Sequence, residues 1–311
     1  IGAPSSMRIR ALLLLSCLFL ALGLPSCGDD AGDDRVRVVV SIPPQAWVVA
    51  RIGGPDVLVE TLVGPGDSPA THQPTDAQVS AVMRAQAWFS MGVPFENGAW
   101  REAIESTGQL RIVNTQDGAL LREIEAHGPN AHAHEDEHGH VHVGGKCSHD
   151  GLDPHLWLSP SGLETIAENV AEGLAEIDPA NAERYEANLE TLRGELEALD
   201  EELTEMLEPW DGRTIYVFHP AWGYFCDAYG LEQVAIEISG QEPSESELTD
   251  LVRRAKEDQA KVVFVQSQIQ GRSAKALADA IGAEVRFLDP LAQDVPKNLR
   301  AVARALVDAL S

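Results

Sequence analysis

The sequence predicts an α/β fold of two lobes, each a parallel sheet flanked by helices, joined by one long rigid helix. Three observations predict it. Short β-branched runs alternate with amphipathic stretches, first through 36–113 and again through 214–310. One unbroken apolar stripe at spacings of three and four lies between those halves. The length of 311 residues, with 44% hydrophobic side chains, suits two domains of ordinary size.

In the first half, VRVVVSI at 36–42 reads as a strand ended by Pro43-Pro44, followed by a short helix at 45–52 and a strand at 57–63. A helix at 76–85, a strand at 87–91, a helix at 95–106 and a strand at 110–113 complete it. The second half gives strands at 214–218, 233–238, 261–265 and 284–288. Its helices are expected at 221–229, 245–257, 273–281 and 297–310, the second opened by Ser244. Between the halves, Asp178 is a suitable N-cap and Pro179 suits the first helical turn. Tyr185, Leu189, Leu192, Leu196, Leu199, Leu203 and Leu207 then form one stripe, and Pro209 stops it. A helix over 178–208 is roughly 45 Å long at about 1.5 Å per residue, enough to run along both lobes. A coiled-coil seam is the alternative use of such a stripe; three heptads between two α/β halves favour an internal strut and a monomer. The lobes are therefore expected at 36–177 and 209–311.

The formal charge is −26, from 49 acidic and 23 basic side chains. Nucleic acid needs a basic face, so it is excluded as a partner. Aromatic residues make up 5%, too few for stacking platforms to dominate.

Met7 reads as the start of an export signal. Arg8 and Arg10 precede an apolar run at 11–22, which is short for a membrane span. Leu24-Pro25-Ser26-Cys27 then resembles a bacterial lipobox. The resemblance implies a signal peptide at 1–26, a lipid on Cys27 and an acidic tether at 27–35, placing the body outside the cytoplasm, periplasmic or at the cell surface, on a membrane anchor. An ordinary signal peptide is the alternative. Of the remaining cysteines, Cys147 and Cys226 would survive processing, and a disulfide between them stays open.

Seven of the ten histidines fall within 127–149. Glycines and Pro129 interrupt that stretch and few apolar residues support it, so the composition predicts a segment that does not pack. His132, His134, His138, His140 and His142 form a loose chelating tract suited to zinc, copper or nickel. His134-Glu135-Asp136-Glu137-His138 matches H-E-x-x-H, but that motif works on a helix, and none is expected here.

The other three histidines stand in defined frames. His219 directly follows the strand TIYVF, and Asp289 directly follows EVRFL; ligands of open α/β sheets bind at such strand ends. His155 lies in the turn DPHLWLSP that leads into a helix, and His72 lies in the loop GPGDSPATHQPTD. Two imidazoles and a carboxylate converging from loops would suit a metal ion in the cleft.

DPHLWLSP at 153–160, FHPAWGYFCDAYGL at 218–231, LDPL at 288–291 and SIPPQAW at 41–47 resemble the zinc/manganese (TroA-like) class of solute-binding proteins of bacterial ABC importers. The order of motifs, the histidine insert, the long helix and the lipobox match as well. The resemblance implies a metal held between the lobes by His155, His219 and Asp289, and delivery to a membrane permease with its ATPase. Histidine at 219, where manganese-selective relatives usually carry glutamate, implies Zn²⁺ rather than Mn²⁺. The family's first ligand is typically a histidine in a Ser-Pro-His-Thr-Tyr-Glu-Pro-Thr-like loop. Here Ala70 holds that slot and His72 follows two residues later; it would either reach the metal or take the tyrosine's packing place. Gln266 is a further departure, standing near where relatives often carry an acidic residue. Asp153 is a candidate to orient a ligand. The function expected is a non-enzymatic extracytoplasmic zinc receptor. A zinc hydrolase with an open coordination position and a surface buffer or adhesin are the alternatives.

Overall fold

A computed structural model describes residues 1–2, 35–124, 151–238, 240–266 and 272–311, with the backbone alone at 134–135 and 141–142. Residues Arg35–Ser311 form one compact unit. Residues 3–34, which hold nearly all of the export signal and tether with Cys27, lie outside the described residues, as do His132, His138, His140 and Cys147.

The first lobe runs β1 (Val36–Val40), α1 (Pro43–Gly53), β2 (Val57–Thr61), α2 (Asp76–Arg84), β3 (Ala87–Ser90), α3 (Ala99–Glu105) and β4 (Arg111–Asn114). Its four strands pair in parallel in the order β2-β1-β3-β4. A two-residue ladder follows, β5 (His134–Glu135) against β6 (Val141–His142). Helices α4 (Pro160–Ile177) and α5 (Ala182–Leu207) lead to the second lobe. That lobe runs β7 (Thr214–Val217), α6 (Gly223–Ala228), β8 (Glu232–Ala235), α7 (Glu245–Glu257), β9 (Val262–Val265), α8 (Arg272–Ile281), β10 (Glu284–Phe287) and α9 (Val295–Leu310). Its sheet is also parallel, in the order β10-β9-β7-β8. Strand order reverses between β1 and β3 in one sheet and between β7 and β9 in the other. These two switch points open the crevices where α/β sheets take ligands.

Two elements differ from expectation for identifiable reasons. Helix α1 starts at Pro43 rather than Gln45, because proline is accommodated in a first turn and the Gln45 side chain accepts the backbone N–H groups of Ser41 and Ile42 at 3.0 and 3.3 Å. The helix expected at 95–106 is split. A single turn at Pro94–Asn97 turns the fully buried Glu96 inward, where its carboxylate accepts from Met91 N–H (2.8 Å) and Gly92 N–H (2.9 Å). Burial raises the Glu96 pKa against these donors and nearby Arg101.

The long helix is an internal strut. Every residue of its stripe, from Tyr185 to Leu207, is buried, against α4, α1 and α9. Its 26 residues span about 39 Å. Glu195 pairs with Arg51 of α1 at 2.6 Å, and Asn188 donates to Ile52 O at 2.7 Å. Toward the other end Glu202 pairs with Arg300 of α9 at 2.7 Å, and Tyr229 O–H donates to Asp200 at 2.9 Å. Both lobes are thus fastened to one rod.

Candidate metal centre

His155 is set by the turn around it. Asp153 is fully buried, and its Oδ1 accepts both the backbone N–H of His155 (3.0 Å) and the ring Nδ1 (2.7 Å). The imidazole packs against Trp157 with ring centroids 5.1 Å apart. Beyond the turn, Ser159 caps α4 by accepting Gly162 N–H at 3.1 Å. Gly162 is needed there, since a Cβ would collide with the carbonyl of Leu156. Burial lowers the His155 pKa from its ordinary value, outweighing the attraction of Asp153. The ring is therefore neutral at neutral pH.

His219 comes from the opposite lobe, two residues past the end of β7 and beside the β7/β9 switch point. Its Nδ1 lies 2.5 Å from Oε1 of Glu237, a buried carboxylate two residues past β8. Both histidines thus have Nδ1 against a carboxylate. That sets both tautomers: Nδ1 carries the proton and Nε2 carries the lone pair.

The two Nε2 atoms face each other at 3.3 Å, with ring planes at 75°. Two lone pairs so placed repel unless a cation, either a proton or a metal ion, is shared between them. Two nitrogens bound to one tetrahedral zinc at about 2.0–2.1 Å would stand about 3.3–3.4 Å apart. The observed spacing fits that geometry, and the two carboxylates behind the rings supply charge to balance a divalent ion.

Of the other expected ligands, Asp289 lies at the rim. It is exposed, and its Oδ1 accepts Leu291 N–H at 3.0 Å. The neighbouring Pro290 carbonyl accepts Trp157 Nε1–H at 2.6 Å, which ties the Asp289 loop to the His155 turn across the lobes. His72 packs edge-on to Phe95, with Nδ1 3.6 Å from Asp67 and Nε2 buried without a hydrogen-bond partner. It lines a polar cavity with Asp67, Thr71, Gln73 and Gln78, while Ala70 is exposed. Among the described residues, no three metal-ligating side chains converge on one point. His155 and His219 are brought together. In the insert, His134–Glu135 begins a strand and not a helix, so the H-E-x-x-H match lacks its metalloprotease frame.

Glu237 was not among the expected residues. Its signal was present: a lone acid inside the apolar run VAIEI at the carboxyl end of a strand. Alternation alone assigns such a residue to a solvated face, whereas here it is 6% exposed.

Two parallel-sheet lobes on a helical strut, with imidazoles from both lobes meeting at their seam, define a two-lobed metal-binding protein. The chain belongs to the family of the periplasmic component A of zinc-uptake complexes, whose model matches residues 38–310. A crystal structure of ZnuA superimposes with a TM-score of 0.79 at 38% identity, covering 89% of this chain and 100% of that one. A ZnuA deletion mutant with zinc bound superimposes with a TM-score of 0.77, also at 38% identity, covering 89% of this chain and 99% of that one. The zinc-binding protein AdcA of Streptococcus pyogenes is 28% identical over 95% of this chain, which spans 58% of the length of that relative. A putative metal-binding protein of Chlamydia muridarum is 28% identical over 97% of this chain and 100% of its own length.

Proposed function

We propose that this protein is an extracytoplasmic zinc receptor that carries Zn²⁺ to an ABC permease and its ATPase. The observation that carries the reading is the 3.3 Å approach of two carboxylate-backed imidazoles from different lobes. Zinc is cargo here, not a reagent. His155 and His219 hold it first. Asp289 and His72 complete a four-ligand shell when their loops close on the ion. The buried, unpartnered Nε2 of His72 supports its inclusion, since such an atom calls for a partner. Asp67 lies on the Nδ1 side of this ring at 3.6 Å, farther than the hydrogen-bonded carboxylates of Asp153 and Glu237 lie from the other two. A shell filled by protein leaves no position for a reacting water, which suits a carrier and not a hydrolase.

The remaining assignments follow the same reading. Residues 1–26 are a signal peptide, Cys27 bears the lipid anchor, 27–35 is the tether, and the receptor is a monomer. A zinc-binding lipoprotein AdcA of Streptococcus pneumoniae, 26% identical over 94% of this chain, supports the anchor. The insert at 127–149 collects zinc loosely and passes it inward.

The test is metal analysis after stripping and dialysis against zinc-buffered solution. The wild-type protein should retain one tightly held zinc in excess of whatever the insert binds. His155→Ala and His219→Ala should each lose it while keeping a folded circular dichroism spectrum. Retention of the tight zinc by both variants would refute the ligand assignment.

A further inference from the structure

We propose that Arg122 is a positioning residue that couples contact between the lobes to the orientation of His155; this deepens the zinc reading and rests on it. Arg122 sits on the stem of the histidine insert, where Ile124 N–H donates to Gly151 O and Asp153 N–H donates to Arg122 O, both at 2.8 Å. Its guanidinium reaches in two directions. Nη1 lies 3.3 Å from Oδ2 of Asp153, the oxygen that His155 does not use. Nε lies 2.9 Å from Oδ2 of Asp227 on α6, an ion contact and not an aligned hydrogen bond.

Tyr224, one turn before Asp227 on α6, closes the ring. Its O–H donates to Asp153 O at 2.9 Å and accepts Arg122 N–H at 3.2 Å. Helix α6 begins four residues after His219. The same short segment therefore supplies one histidine of the pair and the partners that hold the aspartate behind the other. When the lobes separate, Arg122 loses Asp227 and Tyr224 while keeping Asp153, and the Asp153 carbonyl loses Tyr224, so the arginine that faces Asp153 Oδ2 is no longer held from α6. The lobe seam and the imidazole orientation are one mechanical unit.

Gly223 supports this independently. A Cβ at that position would fall on the Arg122 guanidinium and stand 3.0 Å from Asp153 Oδ2. Gly223 does not have a positive φ, so the backbone tolerates alanine, and the flexible arginine tip is what must move. Gly223→Ala therefore displaces Arg122 without deleting it.

The experiment measures zinc release into excess chelator by stopped flow for wild type, Arg122→Gln, Arg122→Lys and Gly223→Ala. Amide exchange at His155 is measured on the same proteins without metal. Arg122→Gln and Gly223→Ala should release zinc about tenfold faster, in the range for lost partners of metal-ligating histidines. Arg122→Lys, which can hold one carboxylate but not bridge two, should be intermediate. Both Arg122→Gln and Gly223→Ala should also exchange the His155 N–H faster. Wild-type release rates in both variants would overturn the proposal, whatever their thermal stability. Should the wild-type protein take up no tight zinc, the zinc reading fails, and exchange alone decides: unchanged protection at His155 in both variants overturns the positioning role, and faster exchange sustains it.

Discussion

Removing Glu237 from behind His219 should weaken zinc binding in two graded steps. Its Oε1 lies 2.5 Å from His219 Nδ1, and the carboxylate is buried. A hydrogen bond to a charged group contributes about 1.5–3 kcal/mol, and lost partners of metal-ligating histidines typically cost about 10–100-fold in affinity. The two ranges agree, since tenfold corresponds to about 1.4 kcal/mol. Glu237→Gln keeps an acceptor oxygen and the side-chain volume but loses the charge, so it belongs at the lower end, about tenfold. Glu237→Ala leaves the Nδ1–H without an acceptor and frees the ring to rotate, so it belongs near 100-fold. Competition against a chromogenic chelator at fixed pH reads both. Equal affinities for wild type, Gln and Ala would refute the argument that this carboxylate sets the tautomer of a zinc ligand. Equal losses in the two variants would show that charge, and not ring orientation, is what Glu237 supplies.

Three further outcomes follow from the same geometry. Burial holds the His155 pKa below its ordinary 6.5, so the unfolded chain takes up a proton there that the folded chain refuses. Proton linkage at this ring should cost the folded state nothing above about pH 6.5 and should cost it stability as pH falls toward and through the lowered pKa; thermal melts of metal-free wild type should therefore drop on the acid side more steeply than those of His155→Gln. Deleting 127–149 should slow zinc capture at nanomolar metal yet leave the tight site, and unchanged uptake under chelation would remove the capture role. Leu192→Ala, at a position fully buried between the strut and its neighbours, should cost about 2–5 kcal/mol in denaturant melts; a cost below about 1 kcal/mol would contradict the rod as the shared core of both lobes.

The architecture was legible because burial repeats on a simple period. The stripe from Tyr185 to Leu207 and the runs VRVVV and VVFV each declare one element, and all of that stripe proved buried. Boundaries slipped where a single side chain overrode the period. Glu96 broke an expected helix by turning into the core, and Gln45 let α1 begin on a proline. His155 and His219 were legible because each stands directly beside a recognisable turn or strand end. What one sequence could not show is distance: that Trp157 donates to Pro290 across 133 positions, or that Glu237 rather than a nearer acid stands behind His219. Asp289 and His72 mark the same limit. Their loops point to the cleft by order in the chain, yet among the described residues no three metal-ligating side chains form one group.

X-ray absorption at the zinc edge, on protein loaded with one equivalent and lacking 127–149, examines the interlobe site most directly. Two or more imidazoles at about 2.0–2.1 Å, with the imidazole signal reduced in His219→Ala, is the result the interlobe histidine pair demands. A first shell of oxygen alone, or one indifferent to both His155 and His219, would contradict a metal gripped across the seam.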